Sequence, residues 1–179
     1  MNLSKLFEIQ AELDKPYQDV PDRLSKDILW MNTELGELAN EWNGFKYRRD
    51  EIDQEPNVRV KVTVHENGLK FEQYVNPLLD EYTDALSVLL SIGLQTDENI
   101  LDYAPEQFEK YKFGDVTEYF NLLFGSLYAN ENREEPIEFY YWVFQVFAEL
   151  GEMLGFTWEQ IETAYMEKAE ANKRRNAHA

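Results

Sequence analysis

The apolar residues between Leu24 and Trp42 constrain the fold more than any other feature of the sequence. Their spacing alternates between four and three residues along Leu24, Ile28, Met31, Leu35, Leu38 and Trp42. At about 3.6 residues per turn, this spacing places the side chains on one face of a helix. A helix with such a face has to pack against other helices. The segment therefore predicts an α-helical bundle.

The same kind of spacing marks most of the remaining chain. Further helices are predicted from Leu3 to Leu13, from Asn76-Pro77, within residues 106–130 with a break near Gly114-Asp115, from Pro136, and from the capping box at Thr157 to about Arg175. These segments predict an all-α fold of about five to six helices. A length of 179 residues suits a single helical domain spanning residues 1–179.

Residues 57–75 interrupt the helical pattern. Valines at positions 58, 60, 62 and 64 alternate with polar residues, and Asn67-Gly68 follows them. Alternation beside an Asn-Gly pair predicts a β-hairpin with a tight turn, inserted between two helices. A lone hairpin is only marginally stable in water. We therefore expect it to lie on the helical body or on a second subunit.

The charge of the chain restricts its partners. Acidic residues number 35 and basic residues 17, which gives a net charge of −18. Such a chain repels nucleic acids and anionic membranes, so we expect neither as a partner. No segment is apolar enough for a membrane span and none is typical of a signal peptide, which predicts a cytoplasmic protein. Because the chain has no Cys and only His65 and His178, any metal would be bound by oxygen ligands.

A second stripe runs along the Leu24–Trp42 helix, beside its apolar face. It consists of Asp27, Trp30, Glu34, Glu37 and Glu41. Glu81 and Asp84 flank the apolar face of the helix that begins at Pro77 in a similar way. If the two helices pack together, these acids line one groove, where a hard divalent cation would offset their repulsion. Mg²⁺ or Mn²⁺ there could hold a triphosphate and activate a water molecule. A solvated acidic surface is the alternative.

Two basic clusters are candidate substrate contacts. Lys168, Asn172 and Arg175 share one face of the last predicted helix and could bind phosphate or a base. The alternative is that cations near a helix C-terminus only interact with its dipole. Lys46 begins a second basic cluster after the Leu24–Trp42 helix, for which solvation of a loop is the alternative.

Three blocks of this sequence resemble the all-α dimeric dUTPases, within the MazG-like nucleoside triphosphate pyrophosphatases. The first metal motif of that family resembles residues 30–46, WMNTELGELANEWNGFK. The second resembles residues 79–94, LDEYTDALSVLLSIGL. The substrate helix near the C-terminus resembles residues 151–176, GEMLGFTWEQIETAYMEKAEANKRRN. The early segment LFEIQAELD is also similar to the family.

This resemblance implies a homodimeric enzyme that needs Mg²⁺, or Mn²⁺ as an alternative. It implies hydrolysis of dUTP to dUMP and pyrophosphate by a metal-activated water held between two acidic helices. The positions that match the metal-binding carboxylates are Glu34, Glu37, Glu81 and Asp84, of which Glu34 and Glu37 are the implied catalytic residues. The positions that match substrate contacts are Gln10, Lys46, Lys168, Asn172 and Arg175.

The sequence departs from the family where that family contacts the sugar and base. Ser87-Val88 stands in place of a His-Phe pair, and Ala169 stands in place of an Asn. These departures leave open a related pyrophosphatase for dCTP or a modified nucleotide. The charge of −18 also leaves open a non-enzymatic acidic module that binds a basic protein.

Overall fold

The computed structural model describes residues 2–47, 59–64, 70–97, 100, 111, 113–127 and 136–176. These residues form α1 (Leu3–Asp14), α2 (Arg23–Trp42), α3 (Pro77–Thr96), α4 (Val116–Ser126), α5 (Pro136–Met153) and α6 (Trp158–Asn176), with a 3₁₀ turn at Lys15–Tyr17. The prediction of an all-α fold with five to six helices is confirmed. Part of the segment predicted as helical within 106–130 lies outside the described residues, and α4 begins directly after Asp115.

Two short strands lie between α2 and α3. β1 (Arg59–Val64) and β2 (Lys70–Val75) pair antiparallel, with Arg59 opposite Val75 and Val64 opposite Lys70. Both strands fall within the predicted insertion at 57–75. Residues 65–69, which include the Asn67-Gly68 pair, lie outside the described residues, so the tight turn stays a prediction. The expected docking of this segment on the body or on a second subunit also stays a prediction.

Side chains that cap the backbone set the helix boundaries. The Asn76 side chain accepts a hydrogen bond from the backbone N–H of Leu79 at 3.1 Å and starts α3. Asn43 ends α2 in the left-handed region, at φ 65°, which an Asn tolerates better than most residues. At the start of α6, Gln160 Oε1 accepts from the backbone N–H of Thr157 at 2.9 Å, as the capping box predicts.

Helices α2 and α3 pack side by side and run in opposite directions. Gln95 near the end of α3 donates to Asp27 near the start of α2 at 2.7 Å, while Glu34 in the middle of α2 lies beside Glu81 near the start of α3. The apolar face of α2 makes this contact possible, because Met31, Leu35 and Leu38 are fully buried. Burying such a side chain contributes about 1.5–3 kcal/mol.

Helix α3 is also held against α5 by an aromatic contact. The Tyr82 ring stacks on Phe147, with centroids 4.4 Å apart, and its hydroxyl donates to the Phe147 carbonyl at 3.0 Å. Gly151 lets the ring approach α5 closely, since a Cβ there would lie 2.6 Å from the Tyr82 hydroxyl oxygen. These contacts fix the face of α3 that points away from α5, where its acidic residues lie.

The most buried helix, α5, still carries charge. Its residues from Val143 to Gly151 are all buried, and Glu149 is among them. Tyr119 and Gln145 donate to the Glu149 carboxylate at 2.6 and 2.8 Å. Among the described helices, none has the length and apolar character that a membrane crossing needs. The cytoplasmic location stays a prediction.

Candidate metal site and adjoining cavity

Three carboxylates from α2 and α3 converge at the contact between these helices. Glu34 on α2 and Glu81 and Asp84 on α3 each place an oxygen within 4.8 Å of the other two. All three side chains are partly buried. Glu81 and Asp84 are three residues apart and therefore lie on the same face of α3. The antiparallel packing of the two helices brings Glu34 opposite them.

The electrostatics of this group, which we call the carboxylate cluster (Glu34, Glu81 and Asp84), favour a bound cation. Burial raises the pKa of Glu81 from 4.5 to about 7, and repulsion from Asp84, Glu37 and Glu34 adds to the rise. Burial also raises the pKa of Glu34, although a hydrogen bond from the Trp30 indole opposes the increase. Ionised carboxylates are therefore costly here, and a cation would remove that cost.

Glu37 lies one turn further along α2 and is exposed. It is not one of the three residues whose oxygens approach within 4.8 Å of one another. Its charge nevertheless raises the pKa of both Glu34 and Glu81, so it lies close enough to interact with the carboxylate cluster. The structure brings Glu37 to the edge of the site, and its role as a ligand or base stays a prediction.

Helix α6 supplies a positive charge to the same place. The Lys168 ammonium contacts the Asp84 carboxylate, and it also lies 3.4 Å from the Asp80 carbonyl oxygen. Its charge lowers the pKa of both Glu34 and Glu81. Asn172 lies one turn further along α6 and lines the adjoining cavity. Two of the predicted substrate contacts are thus adjacent to the carboxylate cluster.

A cavity of about 560 Å³ opens beside the carboxylate cluster. It is lined by Gln10, Leu13, Asp14, Tyr17, Arg23, Asp27, Trp30, Glu34, Asp84, Ser87, Val88, Ser91, Lys168 and Asn172. Sites for small molecules and cofactors commonly have volumes of about 300–1,000 Å³. Its lining contains four acidic residues and two basic ones, so an anionic ligand would need a bound divalent cation to offset the excess negative charge.

Gln10 lies in the wall of this cavity with its amide already engaged. It is 6% exposed. Its Nε2 donates to Asp14 at 2.8 Å and to Ser91 at 3.0 Å. Its Oε1 accepts from the Tyr165 hydroxyl at 2.8 Å. The structure therefore places Gln10 in the cavity wall, where both of its amide N–H groups bond to the protein itself. Its direct contact with a substrate stays a prediction.

Arg23 is a residue of this wall that sequence analysis missed. Its Nη2 pairs with Asp14 Oδ2 at 2.5 Å, and its Nε lies 3.3 Å from Asp27 Oδ2. Asp27 belongs to the acidic stripe of α2, and it is only 8% exposed. Helical spacing alone predicts that Asp27 lies on the same face as Glu34, because it precedes Glu34 by two turns. The pairing of Arg23 with α1 has no local sequence signal.

Of the two remaining predicted contacts, only Lys46 has a described side chain. Lys46 follows α2, and its ammonium lies 5.4 Å from the centroid of the Phe45 ring. It is not among the residues that line the cavity. Arg175 belongs to α6, about one turn after Asn172, but its side chain lies outside the described part of the chain. Ser87 and Val88, which replace the His-Phe pair of the family, do line the cavity.

Comparison with known proteins gives a family match for this chain. A family model described as dUTPase matches residues 69–179, which is more than half of the chain. The matched region contains α3 and α6, and so it includes Glu81, Asp84 and Lys168. Neither a curated protein nor a solved structure gives a significant match. The chain belongs to the all-α dUTPase family.

Proposed function

We propose that this protein hydrolyses dUTP to dUMP and pyrophosphate with the help of Mg²⁺, or of Mn²⁺ as an alternative ion. The observation that carries the proposal is the convergence of Glu34, Glu81 and Asp84 within 4.8 Å beside a cavity of about 560 Å³. Membership of the dUTPase family supports the substrate class.

The donor set of the carboxylate cluster fits a hard divalent cation. Carboxylate oxygens are the side-chain ligands that Mg²⁺ and Mn²⁺ prefer. Burial raises the pKa of both Glu81 and Glu34, and neighbouring carboxylates add to the rise even though the Lys168 ammonium lowers it. We assign Glu34, Glu81 and Asp84 to metal binding, with Glu37 at its edge. When bound, the ion would neutralise the triphosphate and lower the pKa of a water molecule.

The residues around the cluster orient the substrate and handle the proton. Lys168, Asn172 and Arg175 on α6 are assigned to the phosphates, as is Lys46, which follows the end of α2. Glu37 orients the attacking water and takes up its proton. The water oxygen bonds to the α- or β-phosphorus, and the bond from that phosphorus to the oxygen that bridges the two breaks. The bridging oxygen leaves on the other product, so that dUMP and pyrophosphate are released. Positioning and charge neutralisation supply most of the rate in such reactions.

The assembly and setting of the enzyme are proposed from the resemblance alone. We infer a homodimer, a place within the MazG-like superfamily and a cytoplasmic location. Size-exclusion chromatography with light scattering would test the first of these. A mass close to that of one chain, 21.2 kDa, would contradict the dimer.

A related pyrophosphatase for dCTP is the second candidate. Ser87 and Val88 line the cavity in place of the His-Phe pair, and their small side chains remove contacts that the family makes near the base. A third candidate is an acidic binding module without enzymatic activity, which the net charge of −18 favours. Such a module would gain no stability from Mg²⁺ beyond ordinary salt screening.

The decisive experiment measures pyrophosphate release with Mg²⁺ from dUTP, dCTP, dTTP, dATP, dGTP and UTP in parallel. Glu34→Gln removes one charge from the carboxylate cluster and should abolish turnover. Glu8→Gln is a matched control, because Glu8 is exposed on α1 and does not line the cavity. Circular dichroism verifies that both variants are folded.

Each result leads to a different conclusion. Selective release from dUTP that Glu34→Gln abolishes and Glu8→Gln retains supports the proposal. Selective release from dCTP keeps the metal site and replaces the substrate. Full activity of Glu34→Gln, or no release from any nucleotide by folded protein, contradicts the proposed function and favours the binding module.

A further inference from the structure

The end of the cavity away from the carboxylate cluster is lined by a buried network of charged and polar groups. Asp14 accepts from Gln10 and Ser91 through Oδ1, at 2.8 and 3.0 Å. Its Oδ2 pairs with Arg23 at 2.5 Å. Both oxygens of Asp14 are therefore satisfied by the protein. The network connects α1, the start of α2 and the second half of α3.

Asp27 differs from Asp14 in one respect. Its Oδ2 accepts from Gln95 at 2.7 Å and lies 3.3 Å from Arg23 Nε. Within the described part of the chain, no hydrogen bond reaches its other oxygen, Oδ1, and none leaves Arg23 Nη1. Both residues line the cavity, and Asp27 is 8% exposed. Among the described residues, Asn43 Oδ1 is the only fully buried side-chain polar atom without a partner, so Asp27 Oδ1 stays accessible from the cavity. It can therefore accept a hydrogen bond from a ligand N–H.

The position of these two groups matches the reach of a nucleoside. Asp27 precedes Glu34 by seven residues, which corresponds to about 10 Å along α2 at 1.5 Å per residue. On α3, Ser91 follows Asp84 by the same number of residues, so the opposite wall extends equally far. A nucleotide with its phosphates at the carboxylate cluster would extend its sugar along the cavity and bring its base edge to Asp27.

We propose that Asp27, with Arg23 beside it, selects the base of the substrate. Asp27 Oδ1 accepts a hydrogen bond from an N–H on the base, and the Arg23 guanidinium donates to the neighbouring acceptor. The inference rests on the proposed function, because it assumes that the phosphates lie at the carboxylate cluster. It assigns the selection of the base to the start of α2, which precedes the matched residues 69–179.

Uracil and cytosine share one feature: each has an edge on which a hydrogen-bond donor lies next to an acceptor. Uracil offers its N3–H beside a carbonyl oxygen, and cytosine offers its exocyclic amine beside the unprotonated N3. Asp27 can read either edge, and the register of the base in the cavity decides which one. A site that hydrogen-bonds a ligand donor discriminates strongly against analogues that lack it.

The test is Asp27→Asn. In wild type, Asp27 Oδ2 accepts a hydrogen bond from Gln95 and lies beside Arg23 Nε. Because both neighbours are donors, the amide oxygen of the variant should occupy the position of Oδ2. The amide nitrogen then replaces Oδ1, so an acceptor that faces the base becomes a donor. Wild type should therefore prefer the base that has a donor at the contacted ring position, which is position 3 or 4. The variant should prefer the base that has an acceptor there. We expect the ratio of kcat/KM for dUTP and dCTP to reverse, with a change of about tenfold or more.

Asp14→Asn is the matched control. It makes the same change of charge in the same network, at a residue that is 6% exposed, but both of its oxygens already have protein partners. We expect it to leave the ratio of dUTP to dCTP unchanged, whatever it does to stability or to the overall rate. A reversal in Asp14→Asn as well, or an unchanged ratio in Asp27→Asn, overturns the proposal.

A second measurement uses only the wild-type protein and so does not depend on the folding of a variant. The donor is removed from the preferred base, with 3-methyl-dUTP as the analogue of dUTP and a 2-pyrimidinone nucleotide as the analogue of dCTP. We expect about tenfold or greater loss of affinity for the donor-deleted analogue. Equal affinity overturns the proposal.

Calorimetric binding of the non-hydrolysable α,β-imido nucleotides separates this inference from the proposed function. Binding with a base preference that Asp27→Asn reverses, but without turnover of any triphosphate, supports base selection and contradicts the hydrolase. Turnover with the same base ratio in wild type and Asp27→Asn contradicts base selection alone. Absence of binding contradicts both.

Discussion

Replacing Glu81 by Gln should make the protein more stable in the absence of divalent ions while it abolishes turnover. Burial, followed by repulsion from Asp84, Glu37 and Glu34, raises the pKa of Glu81 from 4.5 to about 7. A change of this size corresponds to about 3 kcal/mol against the ionised form. Because the carboxyl is partly exposed, solvent screening reduces this to about 1–2 kcal/mol.

The sign of the pH dependence follows from the direction of the change. The pKa of Glu81 is higher in the folded state than in the unfolded chain, so the folded state binds the proton more tightly. This contribution to stability is fully present below about pH 4.5 and is lost as the pH rises through about 7. Glu81→Gln cannot ionise and should not show this loss. We expect the variant to be more stable than wild type by about 1–2 kcal/mol at pH 8, and by much less at pH 5.

The assay is urea unfolding followed by circular dichroism, at pH 5 and pH 8, with EDTA present. Glu8→Gln controls for the loss of one negative charge at an exposed position. Addition of Mg²⁺ at pH 8 should then make wild type more stable than Glu81→Gln. A ligand at one hundred times its Kd stabilises the protein that binds it by about 2.7 kcal/mol, and Glu81→Gln should bind the ion much more weakly than wild type.

Two results would refute this reasoning. If Glu81→Gln is no more stable than Glu8→Gln at pH 8, the carboxylates do not crowd one another as the structure indicates. If the difference is the same at pH 5 and pH 8, ionisation of Glu81 is not its cause.

Three further variants test other contacts. Lys168→Met removes the ammonium beside the carboxylate cluster and should raise the KM for the nucleotide by about tenfold, as steady-state kinetics would show. Gly151→Ala places a Cβ 2.6 Å from the Tyr82 hydroxyl oxygen and should cost about 1–3 kcal/mol in urea unfolding. Tyr119→Phe removes the donor that lies 2.6 Å from buried Glu149. It should lower stability by about 1–3 kcal/mol and with it the melting temperature.

The carboxylate cluster was predictable because it depends on local spacing. Glu34 lies beside an apolar face of regular period, and Glu81 and Asp84 repeat that arrangement on the next helix. Once the two apolar faces pack, the acids have to meet in the groove between them. The starts of α3 and α6 were predictable for the same reason, because the Asn76 and Thr157 side chains accept hydrogen bonds from backbone N–H groups three residues further along the chain.

The far end of the cavity was not predictable, because its contacts join residues distant in sequence. Tyr165 reaches Gln10 across 155 positions, and Ser91 reaches Asp14 across 77. No periodicity links such residues, and their geometry depends on how α1 and α6 pack against α3. Asp27 was visible within the acidic stripe, but its burial beside Arg23 follows from tertiary packing alone.

The two ends of the cavity can therefore diverge separately. Seven residues along α2 lead from Glu34 to Asp27, and seven residues along α3 lead from Asp84 to Ser91. The matched dUTPase region contains the α3 wall and α6 but neither α1 nor α2. If Asp27 and Arg23 select the base, as we propose, a substitution at either residue can change the base preference without moving the carboxylates, because Glu34 lies two turns further along α2.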